Sequence, residues 1–376
     1  MGRTALDAHR WPRRNGLSVI PRFRRRALIA SAVISAVGGA GLAGVGGAAS
    51  PTWAGVPAAA APGAVFVANY GAGGSSGIAA LGSVSSYRAS ATGDAHPMST
   101  ISAKINAPQG LTFDSLGDLW VTSSNTNTVL EYPKSQLAKA SPVPGIVLSS
   151  GKLGSLNGPG SLVFDSSGDL WVANTSVSTV VEYSKDQLVK SGSPTPAVTI
   201  SNNSFNAPYG VAIDSSGDLW VSDNAQQGSP AVFEYAKSQL AKASPTPERT
   251  LSLPLNPIGD DTRSGLAFDS AGDLWVVNSS ANSLVEFARG QLAKASSSPS
   301  VTISSESNSL NSPDDLAFDS SGDLWVANTG GNTVVEYSKS QLARSGSPTP
   351  VRTILGSATG LNYPMGVAVE PTATKV

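Results

Sequence analysis

Short apolar runs, each closed by a small polar cluster, recur along most of this chain. Gly110-Leu111-Thr112-Phe113, Leu119-Trp120-Val121-Thr122, Val129-Leu130-Glu131-Tyr132 and Ile146-Val147-Leu148 are rich in β-branched and aromatic residues and bounded by Gly, Asp, Asn or Pro, which predicts four strands. Between the first two, Asp-Ser-x-Gly-Asp predicts a tight turn, because the Asp side chain bonds backbone two residues on and Gly tolerates positive φ. The phrase running from Phe113 to Val121 returns at 164–172, 213–221, 268–276 and 318–326. It places Trp120, Trp171, Trp220, Trp275 and Trp325 between 49 and 55 residues apart, a period of propellers and solenoids. Four antiparallel strands per unit select the propeller.

Five full copies leave a ring open, and the two ends of the chain supply a sixth. Ala64-Val65-Phe66-Val67-Ala68-Asn69 matches Leu324-Trp325-Val326-Ala327-Asn328 as a second strand, with Phe66 in the Trp place and no first strand before it. Pro364-Met365-Gly366-Val367-Ala368-Val369-Glu370 matches the first strand at Ser264–Asp269 and has no second strand after it. The expectation is an all-β, six-bladed propeller of four-stranded antiparallel blades. Pairing of the N- and C-terminal strands in one blade closes the ring and removes the sheet edge each would otherwise expose.

Residues 1–61 read differently. Arg22, Arg24, Arg25 and Arg26 precede the uncharged run 27–49, and small-residue sites follow at Gly47-Ala48-Ala49 and Ala58-Ala59-Ala60-Ala61. Basic, then apolar, then small is the order of an export signal. Arg25-Arg26-Ala27-Leu28-Ile29 resembles a twin-arginine core; an uncleaved anchor is the competing reading. The predicted division is therefore 1–61 signal and linker, 62–376 propeller, in a secreted or envelope protein that meets a membrane only through an uncleaved N-terminus.

Removing that segment shifts the charge balance. It holds eight of the 25 basic residues and one of the 26 acidic ones, leaving 17 against 25. An acidic propeller is a poor partner for nucleic acid, which needs clustered Lys and Arg. No cysteine is present, so disulfides contribute nothing. The basic residues of the Lys-x-Gln-Leu-x-Lys loops and the turn aspartates share one end of the ring and read as a self-neutralising belt. The tryptophans, identical in every blade, read as packing between sheets rather than as a carbohydrate platform. Glu131, Glu182, Glu234, Glu286 and Glu336 are expected to face solvent.

A binding site needs unequal groups, so function is sought where the repeat fails. Those departures collect at the end opposite the Asp turns, where the loops between second and third strands and the links between blades lie. Asp223 and Ser123 stand where Asn69, Asn174, Asn278 and Asn328 occupy an equivalent position, the link at 256–263 carries Asp261 and Arg263, and Asp314-Asp315 replaces the usual x-Gly. Convergent oxygens of this kind suit calcium, which takes six to eight of them. The candidate metal ligands are Asp314, Asp315, Asp223, Asp261, Asn278 and Asn328. Arg263 is the competing neutraliser of the carboxylates.

The pattern Pro-x-Gly-(Leu/Val)-Ala-(Phe/Ile)-Asp-Ser-x-Gly-Asp-Leu-Trp-Val, repeated from about 64 to 370, resembles NHL-repeat propellers and their relatives, the regucalcin/gluconolactonase group and the streptogramin lyases. In the gluconolactonase group the middle residue of Pro-x-Gly supplies metal ligands. Pro313-Asp314-Asp315 is similar to its Pro-Asp-Gly, and the other equivalents are Gln109, Gly160, Tyr209, Ser264 and Met365. The resemblance thus implies one ligand, Asp314, with Tyr209 and Gln109 as ligand-facing positions. The lyases use a histidine base, and the propeller segment has only His96, outside the inner strands. Two functions stay open: a monomeric, non-catalytic scaffold binding a peptide, glycan or protein at the asymmetric end, and a calcium-dependent lactonase or esterase.

Overall fold

In the computed structural model the described residues are 63–71, 81–151, 155–201, 205–223, 231–242, 245–253, 264–294, 298–305 and 308–372, all within the compact unit Ala54–Val376. Residues 1–61, with the expected export signal, and the candidates Asp261 and Arg263 lie outside them. The described strands form six four-stranded antiparallel sheets. Blade 1 runs Pro108–Phe113, Leu119–Ser123, Thr128–Tyr132 and Ile146–Ser149; blade 2 runs Pro159–Phe164, Leu170–Asn174, Thr179–Tyr183 and Val198–Ile200. Blade 3 is Pro208–Ile213, Leu219–Asp223, Ala231–Tyr235 and Arg249–Ser252; blade 4 is Leu266–Phe268, Leu274–Asn278, Ser283–Phe287 and Val301–Ser304. Blade 5 comprises Pro313–Phe318, Leu324–Asn328, Thr333–Tyr337 and Arg352–Ile354. In each, the first strand is innermost and packs on the first strands of both neighbours.

Blade 6 takes its innermost strand from the C-terminus. Pro364–Val369 pairs antiparallel with Val65–Asn69, in the register Val65 to Val369 and Val67 to Val367, followed outward by Ser83–Tyr87 and Ser99–Ile101. The Glu370 amide donates to the Ala64 carbonyl at 2.8 Å, extending the pairing beyond the strands. Phe66 faces Ala368 in register as Trp325 faces Ala317, and its ring meets Phe113 edge-on at 5.3 Å.

The turn chemistry is uniform. Asp114 Oδ1 accepts from the Leu116 and Asp118 amides at 2.9 and 3.0 Å, and Gly117 follows at φ 81°. Asp118 Oδ1 then accepts the Lys134 amide at 2.7 Å, anchoring the short helix Lys134–Leu137 of the outer loop. The same bond joins Asp169 to Lys185, Asp218 to Lys237, Asp273 to Arg289 and Asp323 to Lys339. The two aspartates of each turn are therefore structural caps, and the Lys loops sit at the turn end as expected.

Each sheet is covered on both faces by its neighbours, and this decides the core. The five tryptophans are at most 3% exposed; Trp120, Trp220 and Trp275 each meet a phenylalanine of the next blade's inner strand edge-on. The glutamates differ from expectation. Glu131, Glu234, Glu286 and Glu336 are buried, each directly across the strand pair from its blade's tryptophan. Alternation of in and out fails here because neither face of a blade meets solvent. In blades 3 and 5 a guanidinium compensates: Arg249 pairs with Glu234 and Arg352 with Glu336. Burial, reinforced by the turn aspartates, raises Glu131, Glu182 and Glu286 to about 7. Among the described residues, no helix is long and apolar enough to cross a membrane.

Candidate functional site

The middle residues of the six Pro-x-Gly positions form a ring at the end bearing the links between blades. Five of them have side chains, and all five, Gln109, Tyr209, Ser264, Asp314 and Met365, are buried. Tyr209 reaches past blade 4 to blade 5, where its hydroxyl donates to Asp314 Oδ1 at 2.5 Å. Thr329 Oγ1 donates to the Pro364 carbonyl at 2.8 Å and lies 3.3 Å from Asp314 Oδ2; Asp314 is 4% exposed. Tyr209 and Asp314 therefore meet as two of the expected site residues, with the phenol against the carboxylate.

One step further along the inner strands the chain approaches itself closely. A Cβ at Gly110 would lie 2.7 Å from the Gly160 carbonyl and the Ser161 Cα, one at Gly210 2.5 Å from the Ser264 carbonyl, and one at Gly265 2.7 Å from the Asp315 Cα. Glycine stands at these positions because each inner strand presses on the next. Thr122 and Ser222 stitch the level together: each accepts the glycine amide of its own blade at 2.8 Å and donates to a carbonyl of the next blade. Asp315 and Ser161 are the two non-glycine members of this ring. Asp315 extends to the following blade, where its Oδ2 accepts the Val367 amide at 3.1 Å. Burial raises its carboxyl to about 7, opposed by the Val367 and Leu316 amides, with the Asp314 charge adding to the rise.

The remaining candidates go elsewhere. Asp223 accepts the Asn206 and Ala207 amides, with Ala207 at 2.8 Å. Asn328 accepts the Asn311 amide at 3.2 Å and donates to the Ser309 carbonyl at 3.0 Å, and Asn174 does the same with Asn157 and Ser155. Asn278 accepts from the Ala281 amide at 3.3 Å. These side chains fix the turn after the second strand or the link leading into the blade. The signal was present in the sequence: one residue type at one register in nearly every blade marks a structural ring, by the same logic that assigns the tryptophans to packing. Sequence reading did not single out Thr329, Ser161 or the Thr122 and Ser222 stitches, because each acquires its role only from the adjacent blade.

Of the expected calcium ligands, Asp261 lies outside the described residues, and the described ones have protein partners. Asp314 is the one carboxylate of its ring, the Tyr209 hydroxyl already bonds it, and Asp223 is engaged with backbone. That donor set does not fit a cation needing six to eight oxygens. The described groups of three carboxylates close enough to share an ion are Asp214, Asp218 with Glu234 and Asp319, Asp323 with Glu336; in both, an arginine already pairs with the glutamate.

Comparison with known proteins gives a consistent fold. Residues 189–355 match the family model described as SMP-30/Gluconolactonase/LRE-like region. No curated protein matches. The periplasmic gluconolactonase PpgL of Pseudomonas aeruginosa is 17% identical, with 82% of this chain and 86% of that one covered and a TM-score of 0.54. A chain of a nidogen/laminin complex is 12% identical, with 82% and 98% covered and a TM-score of 0.56. A streptogramin B lyase is 16% identical over 67% of this chain and 70% of that one, with a TM-score of 0.47. Residues 189–355 are thus similar to an SMP-30/gluconolactonase/LRE-like region, within a six-bladed propeller whose ring is closed by its two terminal strands.

Proposed function

We propose that the protein is an exported, non-catalytic propeller that binds a peptide, glycan or protein at the end carrying the links between blades. The observation that carries this reading is the Tyr209–Asp314 hydrogen bond, 2.5 Å long between two buried side chains. It engages the one carboxylate that the resemblance marks as a metal ligand. A lactonase of this type needs a cation to polarise the substrate carbonyl, and a phenol on the carboxylate competes with it. Ligand contacts at this end then fall to the loops, which differ from blade to blade. Export rests on the basic, apolar and small-residue order of residues 1–61.

The match at 189–355 to the gluconolactonase-like model favours the second reading, a calcium-dependent lactonase. Hydrolysis of glucono-δ-lactone with and without calcium chloride, beside calorimetry of calcium binding to wild type and Asp314→Ala, separates the two. The scaffold reading expects neither turnover nor calcium heat. Calcium-dependent turnover that disappears in Asp314→Ala overturns it.

A further inference from the structure

The innermost strands enclose a channel of about 350 Å³ that begins at the level of the glycine ring. Its lining starts with Leu111, Ser161, Val211, Leu266, Asp315 and Val367 and runs toward the Asp-turn end, as far as Phe113, Phe268 and Phe318. The close strand approaches at Gly110, Gly210, Gly265 and Gly366 narrow it at the other end. The channel is therefore a pocket whose mouth faces away from the buried Tyr209–Asp314 pair.

Among its described lining residues Asp315 alone is charged. Its carboxylate receives backbone amides from Val367 and Leu316, and among the described residues no cationic side chain pairs with it. A carboxylate in an apolar enclosure is costly unless a proton or a cation offsets it. Blades 2 and 5 are diametrically opposed in a ring of six, so Ser161 and Asp315, the two departures from glycine, stand across the channel from one another at its narrow end. Below them the walls are aliphatic, with the hydroxyl of Thr112 the other side-chain polar group. Phe113, Phe268 and Phe318 add apolar surface near the mouth.

We propose that this channel is a binding site for a small organic ammonium ion, its charged head on Asp315 and Ser161 and its apolar body against the aliphatic walls. A bare divalent ion is the wrong guest, since one carboxylate and two hydroxyls fall short of its coordination and the volume matches the small end of ligand pockets. The site is independent of the proposed scaffold function, and its mouth opens at the opposite end of the ring from the face assigned to that function.

The test uses the full chain at about pH 8, where both Asp315 and an alkylamine are ionised. Calorimetry with n-butylammonium chloride, 1-pentanol as the neutral counterpart and calcium chloride is run on wild type, Asp315→Gly and Asp315→Asn. Asp315→Gly restores the residue that four other blades carry at this position, so it keeps the fold, while Asp315→Asn keeps the shape without the charge. Wild type is expected to bind the ammonium ion about tenfold or more tightly than either variant, and to prefer it to pentanol. Ammonium binding that is equal in all three proteins, no ammonium binding in any of them, or calcium taken up in its place overturns the proposal.

Discussion

At the scale of single residues, a ring of blades turns positions that look half-exposed into buried ones. Trp171 is 2% exposed and packs in a cluster with Phe205 and Val211 of the next blade. Its removal leaves a cavity, so Trp171→Ala is expected to cost about 3–5 kcal/mol in denaturant unfolding; near-native stability would return the tryptophans to a surface role. The glutamates carry a pH signature. Burial holds Glu131, Glu182 and Glu286 at about 7, above their ordinary 4.5. The folded protein binds more protons than the unfolded chain between those values, so this contribution is complete below about 4.5 and is lost as pH rises through about 7. The melting temperature should therefore be higher near pH 5.5 than near pH 8, and a triple Glu→Gln variant should flatten the difference. An unchanged slope in that variant would assign the effect elsewhere. The tryptophans were legible in the sequence as core because their repetition is exact in register. The glutamates were not, because their charge suggests solvent and only the two-sided packing of a blade overrides that.

At the scale of elements, the strands and turns of each unit were readable from local chemistry, whereas the bonds between units were not. Asn127, Asn282 and Asn332 all sit at positive φ after the second strand, a conformation asparagine tolerates. Each then accepts an amide from the link into the following blade: Asn127 from Gly158 at 2.8 Å, Asn282 from Ser312 at 2.7 Å and Asn332 from Tyr363 at 2.7 Å. Nothing in one unit's sequence shows that acceptor, because the donor arrives some thirty residues later on another sheet. Outer edges are tied in the same indirect way. Ser191-Gly192-Ser193 of blade 2 bonds the outer strand of blade 1, and Ser345-Gly346-Ser347 of blade 5 bonds that of blade 4. Two substitutions separate the roles of Asn282. Asn282→Gly keeps the left-handed turn and loses the tie, for an expected cost of about 0.5–1.5 kcal/mol. Asn282→Ala loses both and should cost roughly 1–2 kcal/mol more. Equal stability of the glycine variant and wild type would mean that water replaces the asparagine without loss.

At the scale of the whole molecule, the ring exists because one strand crosses from the end of the chain to its beginning. The unequal lengths of the two terminal fragments made this legible in the sequence: a second strand without a first, and a first without a second. What the fragments could not show is how much else depends on the crossing strand. Pro364–Val369 is at once the inner strand of blade 6, a wall of the channel through Val367, Ala368 and Val369, and a neighbour of the inner strands of blades 1 and 5. Buried Glu370, just beyond it, pairs with Lys134 of blade 1 at 3.4 Å. Deleting residues 361–376 should therefore lower the melting temperature of the whole propeller rather than fray one blade. It bares the edge of Val65–Asn69 and an apolar face on each neighbour. Local fraying and global loss give different results in a second measurement, addition of a peptide spanning 361–372. If closure acts through that strand, the peptide should restore the melting temperature in a concentration-dependent way, as any ligand of the folded state alone does. A truncated protein that melts with wild type, or one that ignores the peptide, would show that the other five blades hold the ring without its clasp.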